Sequence, residues 1–208
     1  MDRDPNYPPR LSRAETKENT HRLLLEAAQN VFMRLGYQGA TLDRIAAAAG
    51  FTKGAVYAHF RGKQALFLEL LGSQLQDNIL RLDAMMDFSE REPERLNEEI
   101  GRWIDGVDAR DNLPLLALEL ELESRRNPSF QAVFDQIIVR HERALGRIIE
   151  RFFEVSGGTA PMPVEELAAT LIVLTEGAAL SRQTRPSGGL TSAKAIRALL
   201  GMPAAGSK

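Results

Sequence analysis

Apolar residues recur along this chain at intervals of three and four, the spacing of helices with one buried face. Leu24, Ala28, Val31 and Leu35 mark a first helix running from Thr16, with Gly36 as its stop and "GYQGA" as a turn. Thr41 is placed to N-cap a short helix, Leu42 to Ala49, that Gly50 breaks, and Thr52 caps another that ends at Arg61-Gly62. A long helix follows from Lys63 towards Met86, with Leu66, Leu70, Leu75, Ile79 and Leu82 roughly in phase. After the loop "SEREPE", Pro93 suits the first turn of a helix whose inward stripe is Ile100, Trp103, Ile104 and Val107. Pro114 opens the next, up to Arg126. Pro128 opens another, from Phe130 through Val133, Phe134, Ile137, His141, Leu145 and Ile148 to Phe152. "VSGGTAPMP" is a break, Pro163 to Gln183 is a nearly all-apolar helix, and Thr191 to Leu200 is a last short one.

The stretch "LALELELES" alternates with period two, as a half-buried strand would. Leu, Glu and Ala favour helix, Pro114 stands at the start, and no partner strand exists elsewhere, so it is assigned to helix. The expected class is all-α, with about nine helices: three short ones and then about six longer ones. Residues 1–16, rich in proline and charge and without periodicity, read as a flexible arm. Residues 17–63 form a first domain and 64–208 a second.

The helix after Thr52 is unusual. Phe51 and Val56 can close a hydrophobic staple, and Val56 and Phe60 form the buried side. The opposite side holds Gly54, Ala55 and Ala58 where long polar side chains are the norm, with Lys53 and Tyr57 on one edge and His59 on the other. A glycine in a helix costs roughly 1 kcal/mol relative to alanine. With the preceding helix and the turn at Gly50, the spacing is that of a helix-turn-helix, and Ala46 and Ala49 are small enough to let the two helices cross closely. A bare outer face makes sense if the partner is DNA: a major groove about 12 Å wide is nearly filled by a helix with its side chains. Small residues then let the backbone approach the base edges, and the amides at the helix start offer donors to phosphate.

Charge agrees with this reading. The net charge of −2 conceals ten Lys/Arg against six Asp/Glu in residues 1–63, and sixteen against twenty-two in the remainder. Cysteine is absent, which excludes disulfides, thiol nucleophiles and cysteine-bound zinc. The N-terminus has no apolar core of a signal peptide, and the longest apolar run, Leu167 to Leu180, is interrupted by Glu176. A cytoplasmic protein without a membrane segment is expected.

"TLDRIAAAAGFTKGAVYAHFRGKQALF", preceded by a helix ending in "RLGYQGA", resembles the DNA-binding domain of the tetracycline-repressor (TetR) family over roughly residues 20–68. The resemblance implies a homodimeric transcription regulator, usually a repressor, that binds a double-stranded operator and whose helical second domain takes a small-molecule effector. By position it implies that Thr41, Tyr57 and Lys63 contact phosphate, that Thr52, Lys53, Gly54 and Ala55 face the groove, and that His59 lies near the DNA backbone. Arg44 joins them on charge and position alone. The family often carries a hydroxyl or larger polar group near Ala55, so base reading here would fall to Lys53 and Arg44. Each residue also has a local reading: Tyr57 as a half-buried ring, His59 as a histidine packed or capping at the surface, Lys63 as a solvated lysine at a helix start. Arg10, Arg13 and Lys17 read either as a basic arm or as an unstructured tail.

The all-round apolar helix Pro163–Gln183 implies burial. It matches the place where family members dimerise, which assigns Leu167, Leu171, Leu174, Gly177 and Ala178 to a dimer interface. The walls of an effector pocket are assigned to Met86, Trp103, Leu118, Phe134 and His141, although Trp103 and Phe134 also suit a plain core. For His141, a hydrogen-bonded core histidine is preferred over a ligand partner or a partly exposed one. An enzyme is not expected: His21, His59 and His141 are scattered, no phosphate-binding glycine loop is present, and no cofactor or metal is called for. The alternative function is a DNA-binding architectural or protein-partnered factor without an effector.

Overall fold

Two observations explain where the chain bends first. Gly36 (φ 67°) and Gly50 (φ 72°) both sit in the left-handed region that glycine alone enters without a Cβ penalty. The first kinks α1 (Arg13–Gly39) one turn before its end, and the second closes α2 (Leu42–Ala49), with the Gly50 amide bonded back to that helix. The computed structural model describes residues 12–107, 113–184 and 191–203. Among these, the helices continue with α3 (Lys53–His59), α4 (Lys63–Arg91), α5 (Leu96–Asp105) after a 3-10 turn at Pro93–Arg95, α6 (Leu113–Ser124), α7 (Pro128–Ser156), α8 (Val164–Thr184) and α9 (Ser192–Leu199), and there is no strand. None of these helices is long and apolar enough to cross a membrane.

The alternating stretch is indeed helical as α6. Leu116, Ala117 and Leu120 are buried at helical spacing, and the period-two pattern leaves Leu122 exposed. The reading of 1–16 as an arm is corrected at its end. Ser12 caps α1 through a capping box with Glu15, so residues 13–16 are already helix, whereas residues 1–11, including Arg10, lie outside the described residues.

The chain divides into two compact units, 1–70 and 71–208. The first unit packs Leu24, Ala28, Val31, Phe32, Ile45, Val56, Phe60, Leu66 and Phe67 inward. Phe67 stands edge-on to both Phe32 and Tyr37, with ring centroids 4.3 and 5.4 Å apart.

In the second unit, Leu82, Met86, Leu96, Ile100, Ile104, Ile148, Phe152, Leu167 and Ile196 belong to one apolar cluster. Two arginines tie its helices. Arg151 of α7 pairs with Asp83, Asp87 and Glu90 of α4. Arg197 of α9 is buried, and donates to Asp105 at 2.8 and 3.1 Å, to the Gly101 carbonyl at 2.9 Å and to the Pro203 carbonyl at 3.2 Å. Gly101 is what admits this guanidinium, since a Cβ there would lie 2.8 Å from Arg197 Nη2.

Candidate nucleic-acid interface

Within the first unit, α2 and α3 are held by threonine caps. Thr41 Oγ1 accepts from the Arg44 amide (3.3 Å), and Thr52 Oγ1 accepts from the Ala55 amide (3.2 Å). A hydroxyl that accepts from an amide keeps its own O–H to donate. Both threonines are exposed, so each can cap its helix and donate to a phosphate at the same time. The turn between the helices is fixed by Gly50 and by the Phe51 amide bonding to the Ala46 carbonyl at 2.9 Å. Val56 and Phe60 are buried, as their phase requires, while Lys53, Gly54, Tyr57 and Ala58 are exposed and Ala55 and His59 are half-buried. At 55% exposure, the Tyr57 ring is no core residue.

Gly54 is the telling position. Its φ is not positive, and a Cβ built there would meet nothing closer than Thr52 Oγ1 at 3.7 Å, an ordinary contact. The protein's own packing therefore gives no reason for glycine. Gly54→Ala is expected to stabilise the chain by about 0.4–1 kcal/mol in urea unfolding. On the reading developed below it should also weaken binding to specific duplex DNA at least about tenfold, since one methyl group would hold the backbone off the base edges. Parallel gains in both measurements would mean that nothing docks on this face.

The remaining predicted contacts are partly engaged within the protein. Arg44 Nη1 donates to the Gly39 carbonyl at 2.8 Å, closing the end of α1, which sequence reasoning did not foresee. Lys63 Nζ donates to the Tyr37 carbonyl at 2.9 Å and lies 4.1 Å from the centre of that ring, joining the start of α4 to the end of α1. His59 packs near His21, with ring centroids 5.5 Å apart. His21 stacks on Phe60 at 4.7 Å and bonds to Glu69. Burial holds the His59 pKa below its usual value, helped by the positive fields of His21 and Lys17, so the ring is neutral at physiological pH. Sequence reasoning also missed Asp43, whose Oδ2 receives Lys53 Nζ at 2.8 Å. The two are ten positions apart, and only the turn at Gly50 brings them together.

The dimer assignment on α8 needs correction. Leu167, Leu171 and Ala178 are buried inside the chain's own core and have no surface to offer a partner; Leu174 is half-buried and packs against that core, and Gly177 alone of the five is exposed. The outward stripe of the helix is Glu166, Thr170, Val173 (66% exposed), Gly177 and Leu180. The five pocket residues are divided as well. Met86 is fully buried in the apolar cluster and Trp103 packs against it, whereas Leu118, Phe134 and His141 lie outside that cluster, on α6 and α7. His141 is not the hydrogen-bonded core histidine preferred from sequence: its Nδ1 is sealed from solvent with no partner among the described residues. Burial alone lowers its pKa to about 4. On α8, burial pushes the Glu176 carboxyl up to about 7, and the field of Glu121 adds to the rise.

Residues 24–70 match the family described as bacterial regulatory proteins, tetR family. Over 79 residues the chain is 46% identical to the uncharacterized HTH-type transcriptional regulator TtgW of Pseudomonas putida, covering 38% of this chain and 57% of that protein. Over 121 residues it is 30% identical to the HTH-type transcriptional repressor AcnR of Corynebacterium efficiens, covering 55% of each. The chain thus spans little more than half the length of these curated relatives. Its fold is that of the solved regulator FadR from Bacillus subtilis, in complex with stearoyl-CoA, with a TM-score of 0.62 at 16% identity over 90% of this chain and 100% of that one.

Proposed function

Because the chain belongs to the tetR family by its residues 24–70 and by its fold, we propose that it is a repressor that binds a duplex operator as a homodimer and is released by a small molecule held in its second unit. The observation that carries the DNA reading is the open face at Gly54, which the fold does not require and a groove does. Thr41, Thr52 and Tyr57 then donate to phosphates, and Lys53 is the base-reading cation. Arg44, with donors left after its bond to the Gly39 carbonyl, takes a secondary contact, as does Lys63 at the start of α4. His59, neutral in the free chain, packs behind them.

The stripe Thr170, Val173, Gly177 and Leu180 supports dimerisation through α8. A Cβ at Gly177 would meet nothing within 4 Å, so that glycine too is unexplained by the chain's own packing. A dimer sets two recognition helices about 34–36 Å apart, one turn of the duplex. The relative FadR was crystallised with an acyl-CoA, which makes an effector in the helical second unit a reasonable assignment here. Such an effector releases DNA only by binding the non-operator conformation more tightly than the operator-bound one.

The test is to incubate the purified chain with sheared DNA of its own source and sequence what it retains. A short near-palindromic site with half-sites one helical turn apart is expected. Lys53→Ala and Tyr57→Phe should each weaken it roughly tenfold, the first relaxing specificity at one base pair and the second acting on all sequences alike. Retention without sequence preference would sink the operator reading and leave a DNA-coating factor.

A further inference from the structure

We propose that Asp43 is a positioning residue for Lys53 and, through it, a determinant of how sharply the chain distinguishes its operator from other DNA. The inference rests on the reading of α2 and α3 as a DNA-binding surface. Asp43 is the single acid between Thr41 and Phe60, on a segment that otherwise offers only neutral and cationic groups to a polyanion. A carboxylate there opposes binding through like-charge repulsion, so its presence calls for a reason. The geometry supplies one. Asp43 lies in the first turn of α2, which Thr41 caps, and its Oδ2 accepts from Lys53 Nζ at 2.8 Å across the turn. Both side chains are more than half exposed, so the bond is not imposed by packing. The carboxylate strengthens the hold of Lys53 on its proton and keeps the amine charged.

A lysine on a four-carbon stem would otherwise swing to whichever phosphate is nearest, which carries no sequence information. Tethered to Asp43, its amine has two donors left, enough for the O6 and N7 of a guanine. At a sequence without that guanine the pair has two poor choices. If it stays closed, a carboxylate approaches the phosphates with no base contact in return. If it opens, Lys53 gains a phosphate, but Asp43 is left unpaired in a strongly negative field. Discrimination thus comes from a built-in repulsive element as much as from an attractive one.

The experiment uses the full chain, the operator recovered as described above and a scrambled duplex of equal length and composition, each titrated at several salt concentrations. Asp43→Asn keeps the size and an acceptor oxygen but removes the charge. It is expected to bind the scrambled duplex roughly tenfold tighter, with the slope of log K against log salt steeper by about one unit as Lys53 takes up a phosphate. Operator affinity should change by less than about threefold. In a Lys53→Ala background the same substitution should no longer alter the ratio of the two affinities, and Asp43→Glu should retain most of the discrimination. Equal tightening on both duplexes, or the same change of ratio without Lys53, would overturn the proposal. A wild-type chain that cannot tell operator from scrambled duplex would instead defeat the operator reading on which it rests.

Discussion

Replacing Arg197 by alanine is expected to lower the unfolding free energy by about 3 kcal/mol, the upper end of the cost of leaving a buried acceptor without its donor. Arg197 is 8% exposed, and its guanidinium makes every contact with a fixed acceptor: two Asp105 oxygens on α5, the Gly101 carbonyl one turn earlier, and the Pro203 carbonyl beyond α9. Alanine would leave the Gly101 carbonyl buried without its donor and release the tether between α5, α9 and the residues up to Pro203. In thermal melts the midpoint should fall by about 6–12 °C. Asp105→Asn should cost about a third as much, because Asp105 is 47% exposed and Arg197 would keep both carbonyls. A change below about 0.5 kcal/mol for Arg197→Ala would show that the hub contributes no net stability.

The second large effect is a pH dependence carried by His141. Its folded-state pKa is lowered from 6.5 to about 4, so the unfolded chain binds the extra proton first as the solution is acidified. The stability this group provides is intact above pH 6.5 and is lost as pH falls towards 4, by about 3 kcal/mol in all. Glu176 works in the opposite sense. Its pKa is raised to about 7, so the folded state takes the proton first and stability rises as pH falls from 7 to 4.5. The two overlap and mask each other in the wild-type profile. Urea unfolding of His141→Leu beside wild type should therefore show a stability difference that grows in favour of the variant by about 3 kcal/mol between pH 7.5 and pH 4. Glu176→Gln should make the chain more acid-sensitive than wild type. A constant difference between His141→Leu and wild type across that range would mean that the fold accommodates the imidazolium at no cost.

The parts of the structure that were legible from sequence are those fixed by local chemistry. Gly36 and Gly50 announce breaks because their backbone angles exclude other residues. Thr41 and Thr52 cap helices through bonds spanning three positions. Ser12 and Glu15 offered an equally local signature, but the prolines before them drew the reading towards an arm. The face of α8 was not legible, because a helix apolar nearly all round has no contrast between sides. Leu167 and Val173 look alike in sequence, yet one is buried and the other two-thirds exposed. Long-range ties were hidden for a different reason. Nothing near Arg197 reveals a partner 92 positions away, and nothing beside Lys53 gives a sign that Asp43 will hold it. The candidate DNA-facing residues stood out because small side chains were out of place, an anomaly visible without contacts.

The open space beside Gly54, and its counterpart at Gly177, has a consequence for anyone improving this protein in the laboratory. Selection for heat resistance, protease survival or soluble yield rewards alanine at both sites, since each substitution removes backbone freedom from the unfolded chain and clashes with nothing. On the function proposed above, such a screen would enrich robust, well-behaved variants weakened in DNA binding through Gly54 or in self-association through Gly177, and no stability assay would reveal either loss.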